Sequence, residues 1–386
     1  MAGNEQLLTK PKKEINYQFK VLYAMVMFCI VCGHLGAVDN YVPWTELFSI
    51  YGFGIQLFLF ISGYFYNKKN DSAPHKFILK KVFTILLPYL GWNLFYGIVC
   101  QVLALFGFDF AREFSLQAIT IDPILHGPSF NFIGPTWFLV PFFFAEAFCS
   151  IERFAFSKMN SPAKDVIILV INMLINFAAV YYVMHHYNEG GYYDGDYIFI
   201  LQAMFMVPFF TMGYIYRTYL EKRDTLSNTK YFIILLLVAV MYIFINGHSS
   251  SYFISVMGGF ENLFFPTFTA ILGIAFYLRI ARVLTPIAGK SKCVNAIADN
   301  TFSVMTHHCL GFFVLSALLV LCAKIIPFLP DPDMEQFFAD SSYHYMPRGR
   351  GFPAVYIMFG LAFSIYFKKL VDLIKAGIMS LLRKGK

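Results

Sequence analysis

The chain has 386 residues, of which 58% are hydrophobic and 14% are charged, and its formal net charge is +7. A soluble globular domain carries roughly 25% charged residues, so this composition excludes an ordinary water-soluble protein. Apolar runs of about 20 residues recur along the chain, and a helix of that length crosses the hydrocarbon core of a bilayer. The composition therefore predicts an all-α, polytopic membrane protein.

The apolar runs predict about ten transmembrane helices. They cover residues 21–38, 46–66, 82–107, 136–151, 165–184, 197–216, 231–247, 262–281, 302–325 and 352–374. No long linker and no internal repeat interrupts them, which predicts a single membrane domain over residues 1–386. The first run lacks a small-residue cleavage site, so we expect a signal anchor rather than a removable signal peptide.

The basic residues alternate between the predicted loops. Nearly all Lys and Arg fall in the two tails, 1–20 and 376–386, and in the loops on the same side. The exceptions are Arg112, Lys324, Arg348 and Arg350. Since cytoplasmic loops carry the excess of Lys and Arg, both termini are predicted to be cytoplasmic. The positive charge is thereby explained by topology, and we expect no nucleic-acid partner.

One titratable residue, His34, lies inside the first apolar run, about 20 Å from its cytoplasmic end at 1.5 Å per residue. An ionisable ring is costly in hydrocarbon, so an intramembrane histidine indicates a functional site, and histidine transfers protons well near neutral pH. The alternative is a histidine packed between helices and bonded to carbonyl groups, and position alone does not choose between them. Tyr23 and Lys20 lie near the same helix face, and Lys20 should extend to the cytoplasmic interface.

The next two runs contain residues that shape helix packing. Ser62 and Gly63 are small and favour close helix approach. Pro88 should kink the third helix and free a carbonyl group. Cys29 and Cys32 share a helix face, but packing explains them better than a metal pair, and the sequence shows neither metal-ligand spacing nor a glycine-rich phosphate loop.

Several short motifs follow one another in a distinctive order. They are Gly33-His34, Phe60-Ile-Ser-Gly-Tyr64, Leu87-Pro-Tyr-Leu-Gly-Trp92, Pro135-Thr-Trp-Phe-Leu139 with Glu146 beyond it, and Asn300-Thr-Phe-Ser303 leading to His307-His308. Together they resemble the acyltransferase-3 family of integral membrane O-acyltransferases over nearly the whole chain.

The resemblance implies an O-acetyltransferase-like enzyme of the plasma (inner) membrane. It would move an acyl group, usually acetyl, from cytoplasmic acyl-CoA to a hydroxyl of a cell-surface or lipid-linked glycan. Acyl-CoA is then a co-substrate, no tightly bound cofactor is expected, and the partners are membrane lipid and the glycan acceptor. The family usually has a basic residue eleven positions before the first-helix histidine, where this chain has Tyr23, so Lys20 is the expected substitute.

The resemblance also suggests roles for individual residues. His34 is the expected general base or acyl carrier, and Glu146, His308 and Tyr23 are the candidate catalytic partners. Expected substrate contacts are Lys20, Ser62, Trp137, Asn300 and His307. Expected contacts to the CoA phosphates are Lys68, Lys69, Lys80, Lys81 and Arg153, although these cations could instead serve only to set the topology. His307 and His308 point about 100° apart on a helix, and we expect His308 to face the site.

Two other functions are compatible with a polytopic membrane protein. A polysaccharide exporter or flippase should show a charged cavity or an inverted repeat, and the sequence shows neither. A non-catalytic subunit of a glycan synthase complex would tolerate Tyr23 at the family's basic position. The sequence identifies neither the acyl chain nor the acceptor sugar.

Overall fold

The computed structural model describes residues 15–42, 48, 50–159, 161–193, 195–247, 252–347 and 352–384. Several basic residues used to predict the topology lie outside the described residues, namely Lys10, Lys12, Lys13, Arg348, Arg350 and Lys386. The described chain is helical, as predicted, and each predicted span overlaps one long helix.

The long helices of the described residues are numbered here in chain order. They are α1 Tyr17–Gly33, α2 Ile50–Phe65, α3 Pro74–Ala104, α4 Leu139–Ala155, α5 Ala163–Met184, α6 Ile198–Ile215, α7 Asn228–Asn246, α8 Phe265–Ala288, α9 Thr301–Ile325 and α10 Phe352–Lys384. Within the described residues, six helices are long and apolar enough to cross a membrane, and α1 and α2 are shorter apolar helices. The outward faces carry large apolar side chains such as Leu237 and Phe244, as expected where a helix faces lipid.

Helix α1 lies inside the bundle. It contacts α2, α8, α9, α10 and a short helix, Lys292–Asp299. Helix α6 packs against α2, α4 and α5, and α9 packs against α10. The residues at the two ends of α1 are thus surrounded by other helices on most sides.

The contact between α2 and α6 depends on two glycines. A Cβ atom on Gly63 would lie 1.8 Å from the Phe210 carbonyl oxygen, and one on Gly213 would lie 1.9 Å from the Phe60 carbonyl oxygen. Neither position has room for a side chain, since such distances are far inside van der Waals contact. The small residues predicted to allow close helix approach do so at Gly63.

Helix α1 ends earlier than the sequence predicted. The Ala37 amide donates to the Cys32 carbonyl at 3.0 Å and the Gly36 amide to the Gly33 carbonyl at 3.1 Å, which is the bond pattern of a Schellman motif. Gly36 has a φ of +61°, a left-handed conformation that glycine adopts without steric cost. The predicted span of 21–38 therefore began and ended several residues late, and His34 lies in the closing turn rather than in the helix interior.

Pro88 does not break α3. A π-turn over Val82–Leu86 precedes it, and the Leu87 amide donates to the Val82 carbonyl. A π-turn inserts a residue and shifts the face that each side chain presents, so the helix continues past a proline that cannot donate to its own i−4 carbonyl. Lys81 lies directly before this turn.

The two ends of the bundle differ in charge. One end, called the basic end below, contains most of the described Lys and Arg residues, including Lys20, whose ammonium lies 2.8 Å from Asp299. The other end, called the opposite end, is formed by the turn after α1 and by the described loop residues 105–138, 185–193, 195–197, 247, 252–264 and 326–347. Among the described residues its only basic side chains are Arg112 and Lys324.

Candidate functional site

His34 and His308 form a hydrogen-bonded pair at the opposite end. The His34 Nδ1 and His308 Nε2 atoms are 3.1 Å apart, and the His308 Nδ1 atom lies 2.7 Å from the Val304 carbonyl oxygen. A carbonyl oxygen only accepts hydrogen bonds, so the proton of a neutral His308 is on Nδ1 and its Nε2 is an acceptor. His34 must then donate from Nδ1, which leaves its own Nε2 unprotonated. The pairing thereby holds His34 in the tautomer that a general base requires.

The neighbouring histidine points elsewhere. His307 Nδ1 lies 2.8 Å from the Tyr96 hydroxyl, and the His307 ring packs against Trp92 and Phe367 at centroid distances of 4.3 and 4.9 Å. Its side chain is buried and lines none of the cavities described below. The structure brings His308 to His34 and places His307, the predicted substrate contact, in the helix packing.

The first cavity beside His34 is small and mostly apolar. This histidine cavity has a volume of about 180 Å³. Its described lining includes Ile30, Tyr51, Ile55, Trp137 and Phe138, but no Lys, Arg, Asp or Glu. Trp137, predicted as a substrate contact, thus lies in the same cavity as His34.

A second cavity adjoins His34 from the loops of the opposite end. This opposite-end cavity has a volume of about 340 Å³. Its polar lining comprises His34, Arg112, Asn131, Ser341, Ser342 and His344. The His34 side chain, which is exposed, is therefore accessible from both cavities.

The third cavity, the basic-end cavity, is larger, with a volume of about 740 Å³. Lys76, Lys80 and Lys81 line it, together with Ser62 and Tyr23. Its inner wall includes Phe138 and Met305, which also line the histidine cavity. Both side chains are buried, so they separate the two spaces by a single layer of side chains.

A charged pair lies at the side of the basic-end cavity. The Lys81 ammonium is 2.6 Å from Glu146 Oε1, and the Ser62 hydroxyl donates to the same carboxylate oxygen. Glu146 is fully buried, and its second oxygen makes no hydrogen bond within the described residues. The lysine and the hydroxyl compensate the cost of burying this carboxylate.

Comparison with family models supplies independent evidence. A model described as an acyltransferase domain matches residues 16–317, which is most of the chain. The chain belongs to the acyltransferase-3 family. The resemblance seen in the motifs is thus confirmed, and membership supports acyltransferase activity in a multi-pass membrane protein. Comparisons with curated proteins and with solved structures find no match.

The structure places the expected substitute for the family's basic residue away from Tyr23. Lys20 forms an ion pair with Asp299 on the short helix and does not line the cavity that Tyr23 lines. Lys81 from α3 lines the cavity that Tyr23 also lines, together with Lys76 and Lys80. Tyr23 precedes His34 by eleven residues, or about 16 Å along a helix. Neither Tyr23 nor Glu146 therefore bonds to His34, and the tautomer partner is His308.

Arg153, predicted to contact CoA phosphates, instead belongs to a buried ion-pair cluster. Its guanidinium donates to Asp71 at 3.2 Å and to Asp165 at 3.0 Å, and it lies 3.6 Å from the centre of the Tyr214 ring. Lys164 donates to Asp71 at 3.0 Å. Arg153 is 1% exposed, so its charge is used within the protein and a phosphate cannot reach it.

Three other predicted residues lie away from the three cavities. Asn300 donates from its side-chain amide to the Ala296 carbonyl at 2.7 Å, which is a local contact at the start of α9. Lys68 and Lys69 are exposed on the short 3-10 helix Lys68–Ser72 after α2. Lys68 lines a separate surface cavity with Arg217, next to the basic-end cavity.

The sequence analysis missed several residues that line the site. Lys76 precedes Lys80 by four residues, and this spacing places both on one helix face. The spacing could have identified Lys76 as a further cavity residue. Phe138 lies inside the motif around Trp137 but was not singled out. Met305 and Arg112 gave no signal, because their importance depends on which helices and loops meet.

Proposed function

We propose that this protein is a membrane O-acyltransferase that transfers an acyl group from cytoplasmic acyl-CoA to a hydroxyl of a cell-surface or lipid-linked glycan. The observation that carries the proposal is that His34, hydrogen-bonded through Nδ1 to His308, lines both the histidine cavity and the opposite-end cavity. A base at that junction is accessible to a donor from one side and to an acceptor from the other.

The charge asymmetry of the bundle supports an orientation for the reaction. By the positive-inside rule the basic end faces the cytoplasm, which holds acyl-CoA, and the opposite end faces outward. Lys76 and Lys80 line the basic-end cavity and form no ion pair with other described residues. Their ammonium groups are therefore available to the phosphates of CoA.

The thioester arm must pass from the basic-end cavity to His34. Phe138 and Met305 are the side chains between the two spaces. Methionine is unbranched and adopts several rotamers at little cost, so Met305 can move aside more easily than an aromatic ring. A narrow passage also limits leakage between the two sides of the membrane.

The chemistry needs one proton acceptor. As the acceptor oxygen attacks the thioester carbonyl carbon, His34 Nε2 takes the hydroxyl proton, and the C–S bond then breaks. The thiolate of CoA leaves and receives that proton from His34, which gives an ester and free CoA. If His34 instead carries the acyl group, the same Nε2 lone pair attacks the thioester, and ping-pong kinetics reveal the covalent intermediate.

The histidine cavity favours a short, uncharged acyl group. Its volume of about 180 Å³ is small, and its described lining contains no charged residue other than the titratable His34. Burying an unpaired carboxylate there is costly. Acetyl therefore fits this cavity better than succinyl.

The test is acyl transfer by the purified protein in lipid vesicles, with labelled acetyl-CoA and extracted surface glycan. His34→Ala should reduce transfer by about 10²- to 10⁴-fold, the usual contribution of a general base. His185→Ala is the matched control, because His185 is an exposed histidine at the opposite end that bonds only to the Tyr181 carbonyl. Both variants should accumulate normally in the membrane.

Unchanged transfer by His34→Ala removes His34 from the mechanism. Loss of glycan export with acylation intact would identify an exporter. If neither the wild-type protein nor its intact membranes transfer an acyl group, a non-catalytic subunit is the better description.

A further inference from the structure

We propose that the opposite-end cavity binds an acceptor that carries an oxyanion, a carboxylate or a phosphate, and that Arg112 recognises this group. The inference rests on the proposed function, since it assumes that the acceptor enters this cavity to reach His34. It adds the chemical class of the acceptor, which neither the family match nor the motifs specify.

Arg112 is an available cation. Its backbone carbonyl accepts from Gln101 at 2.8 Å, but its guanidinium makes no hydrogen bond or ion pair within the described residues. Elsewhere in the described chain, Arg153 and Arg279 are paired with aspartates. An arginine that lines a cavity without a partner has its donors free for a ligand.

The charge of the cavity comes from this arginine. No Asp or Glu lines the cavity among the described residues. Burial lowers the pKa of His344 to about 4, although nearby Asp340 opposes this shift, so His344 is neutral at physiological pH. The Asp340 carboxylate accepts from the Ser342 amide at 2.7 Å. Arg112 therefore gives the cavity a net positive charge when His34 is neutral.

The remaining lining suits a sugar ring that bears a charged group. Asn131, Ser341 and Ser342 offer polar side chains that make no hydrogen bonds within the described residues. Phe130, Phe132 and Phe312 supply apolar walls for the C–H face of a sugar. A volume of about 340 Å³ lies at the low end of small-molecule pockets, which run from roughly 300 to 1,000 Å³, and favours one sugar unit over a long segment.

Part of this cavity lies outside the family match. The matched region ends at residue 317, whereas Ser341, Ser342 and His344 come from the segment between α9 and α10. Residues beyond the matched region thus help to shape the cavity. Such a segment can adapt the acceptor site without altering His34 or His308.

A guanidinium recognises carboxylate and phosphate with two parallel hydrogen bonds. Hydrogen bonds to charged groups contribute enough to change affinity by roughly 10- to 100-fold. The experiment measures binding of methyl β-glucuronide, glucose 1-phosphate and neutral methyl β-glucoside to the full chain in lipid nanodiscs by calorimetry. No acyl-CoA is added, so the wild-type protein, with His34 still lining the cavity, binds the sugars without turnover.

At least one charged sugar should bind more than about tenfold tighter than the neutral glucoside. Tighter binding of the glucuronide would indicate a carboxylate on the acceptor, and tighter binding of glucose 1-phosphate would indicate a phosphate. Arg112→Gln should abolish this preference, and Arg112→Lys should retain only part of it because a lysine lacks the planar fork. Lys324→Gln is the matched control, since Lys324 is the other described cation of the opposite end and does not line the cavity. Asn131→Asp, which leaves Arg112 intact and adds a negative charge, should also weaken binding of the charged sugar.

Equal binding of the three sugars, or a preference that survives Arg112→Gln and Asn131→Asp, overturns the inference. Acyl transfer to surface glycan by the wild-type protein is measured separately. If transfer occurs without any effect of Arg112→Gln, the inference fails and the proposed function stands. If no transfer occurs to any glycan, the proposed function fails as well.

Discussion

The two ends of this bundle manage buried polar groups in different ways. At the basic end, Glu146 is buried as one half of an ion pair with Lys81. At the opposite end the buried His308 ring bonds to a carbonyl oxygen and to the exposed His34. A paired charge anchors a cavity suited to a charged donor, whereas a neutral pair keeps a lone pair available for proton transfer. In the proposed mechanism, CoA binding and proton transfer are separated by about 16 Å along α1.

The largest expected effect comes from the helix contact beside the basic end. Gly63→Ala would place a Cβ atom 1.8 Å from the Phe210 carbonyl oxygen, so α2 and α6 must separate. Overpacking typically costs about 1–3 kcal/mol, and a clash this close with a backbone oxygen belongs at or above the upper end of that range. Ser62 would also be drawn away from Glu146. We expect a large loss of folded protein in detergent, measured by size-exclusion chromatography and thermal unfolding.

Gly91→Ala is the control for that substitution. A Cβ atom on Gly91 meets nothing within 4 Å, so this variant should be unchanged or stabilised by up to about 1 kcal/mol through helix propensity. Equal stability of the two variants would contradict the close approach of α2 and α6.

The next effect tests the neutral pair at the opposite end. His308→Leu removes the ring acceptor of His34 Nδ1 and leaves only the Ile30 carbonyl, so the His34 proton is held less firmly on that nitrogen. We expect kcat for acyl transfer to fall about 100-fold, with little change in KM for acyl-CoA. The adjacent His307→Leu should lower stability by about 1 kcal/mol through loss of the Tyr96 contact, with kcat nearly unchanged. A larger loss of kcat from His307→Leu would reverse the assigned roles.

A third prediction tests the ion pair at the basic end. Lys81→Met leaves Glu146 buried without its cation and should destabilise the protein by about 3 kcal/mol. The double variant Lys81→Met with Glu146→Gln should recover much of that loss, because the buried charge is also removed. Thermal unfolding of the single and double variants measures the difference. A double variant no more stable than Lys81→Met would show that the pair is not the source of the effect.

The Tyr23 position gives a sharper version of the same test. Tyr23→Arg in the Lys81→Met background restores a cation to the cavity from α1. It should raise both stability and acyl-CoA binding above those of Lys81→Met, measured by thermal unfolding and by KM for acyl-CoA. Tyr23→Phe in the same background is the control and should restore neither.

The smallest expected effect concerns the size of the histidine cavity. Ile55→Ala shortens a side chain that lines the cavity and so enlarges the cavity. The ratio of kcat/KM for butyryl-CoA to that for acetyl-CoA should rise about five- to tenfold. Succinyl-CoA should remain a poor donor for both proteins, because the added space is apolar. Equal use of succinyl and butyryl donors by the wild-type protein would contradict the assignment of this cavity to the acyl group.

Much of the fold was predictable because it depends on local composition. Apolar runs located the long helices, and the ordered motifs identified the family. The number of spans and the side on which the termini lie stay predictions. The early end of α1 had a signal, since Gly36 follows Gly33 and a glycine commonly closes a helix.

The pairings within the site were harder to predict because they join distant parts of the chain. Lys81 and Glu146 are 65 residues apart, and Arg153 meets Asp71 across 82 residues. A basic loop residue and a buried ion-pair residue look alike in sequence, which is why Arg153 was predicted as a phosphate contact. The sequence also gave His34 several candidate partners, and only the packing of α1 against α9 places His308 beside it.

The turn that closes α1 has a consequence for the transition state. Aligned peptide dipoles place partial negative charge at the carboxyl end of a helix, and His34 lies in that last turn. The imidazolium formed when His34 takes a proton is therefore stabilised by the helix itself, without a nearby carboxylate. This macrodipole effect amounts to between about 0.3 and 2 kcal/mol. Extending α1 by one turn beyond His34 would place the ring in the helix interior, where this end effect is weaker.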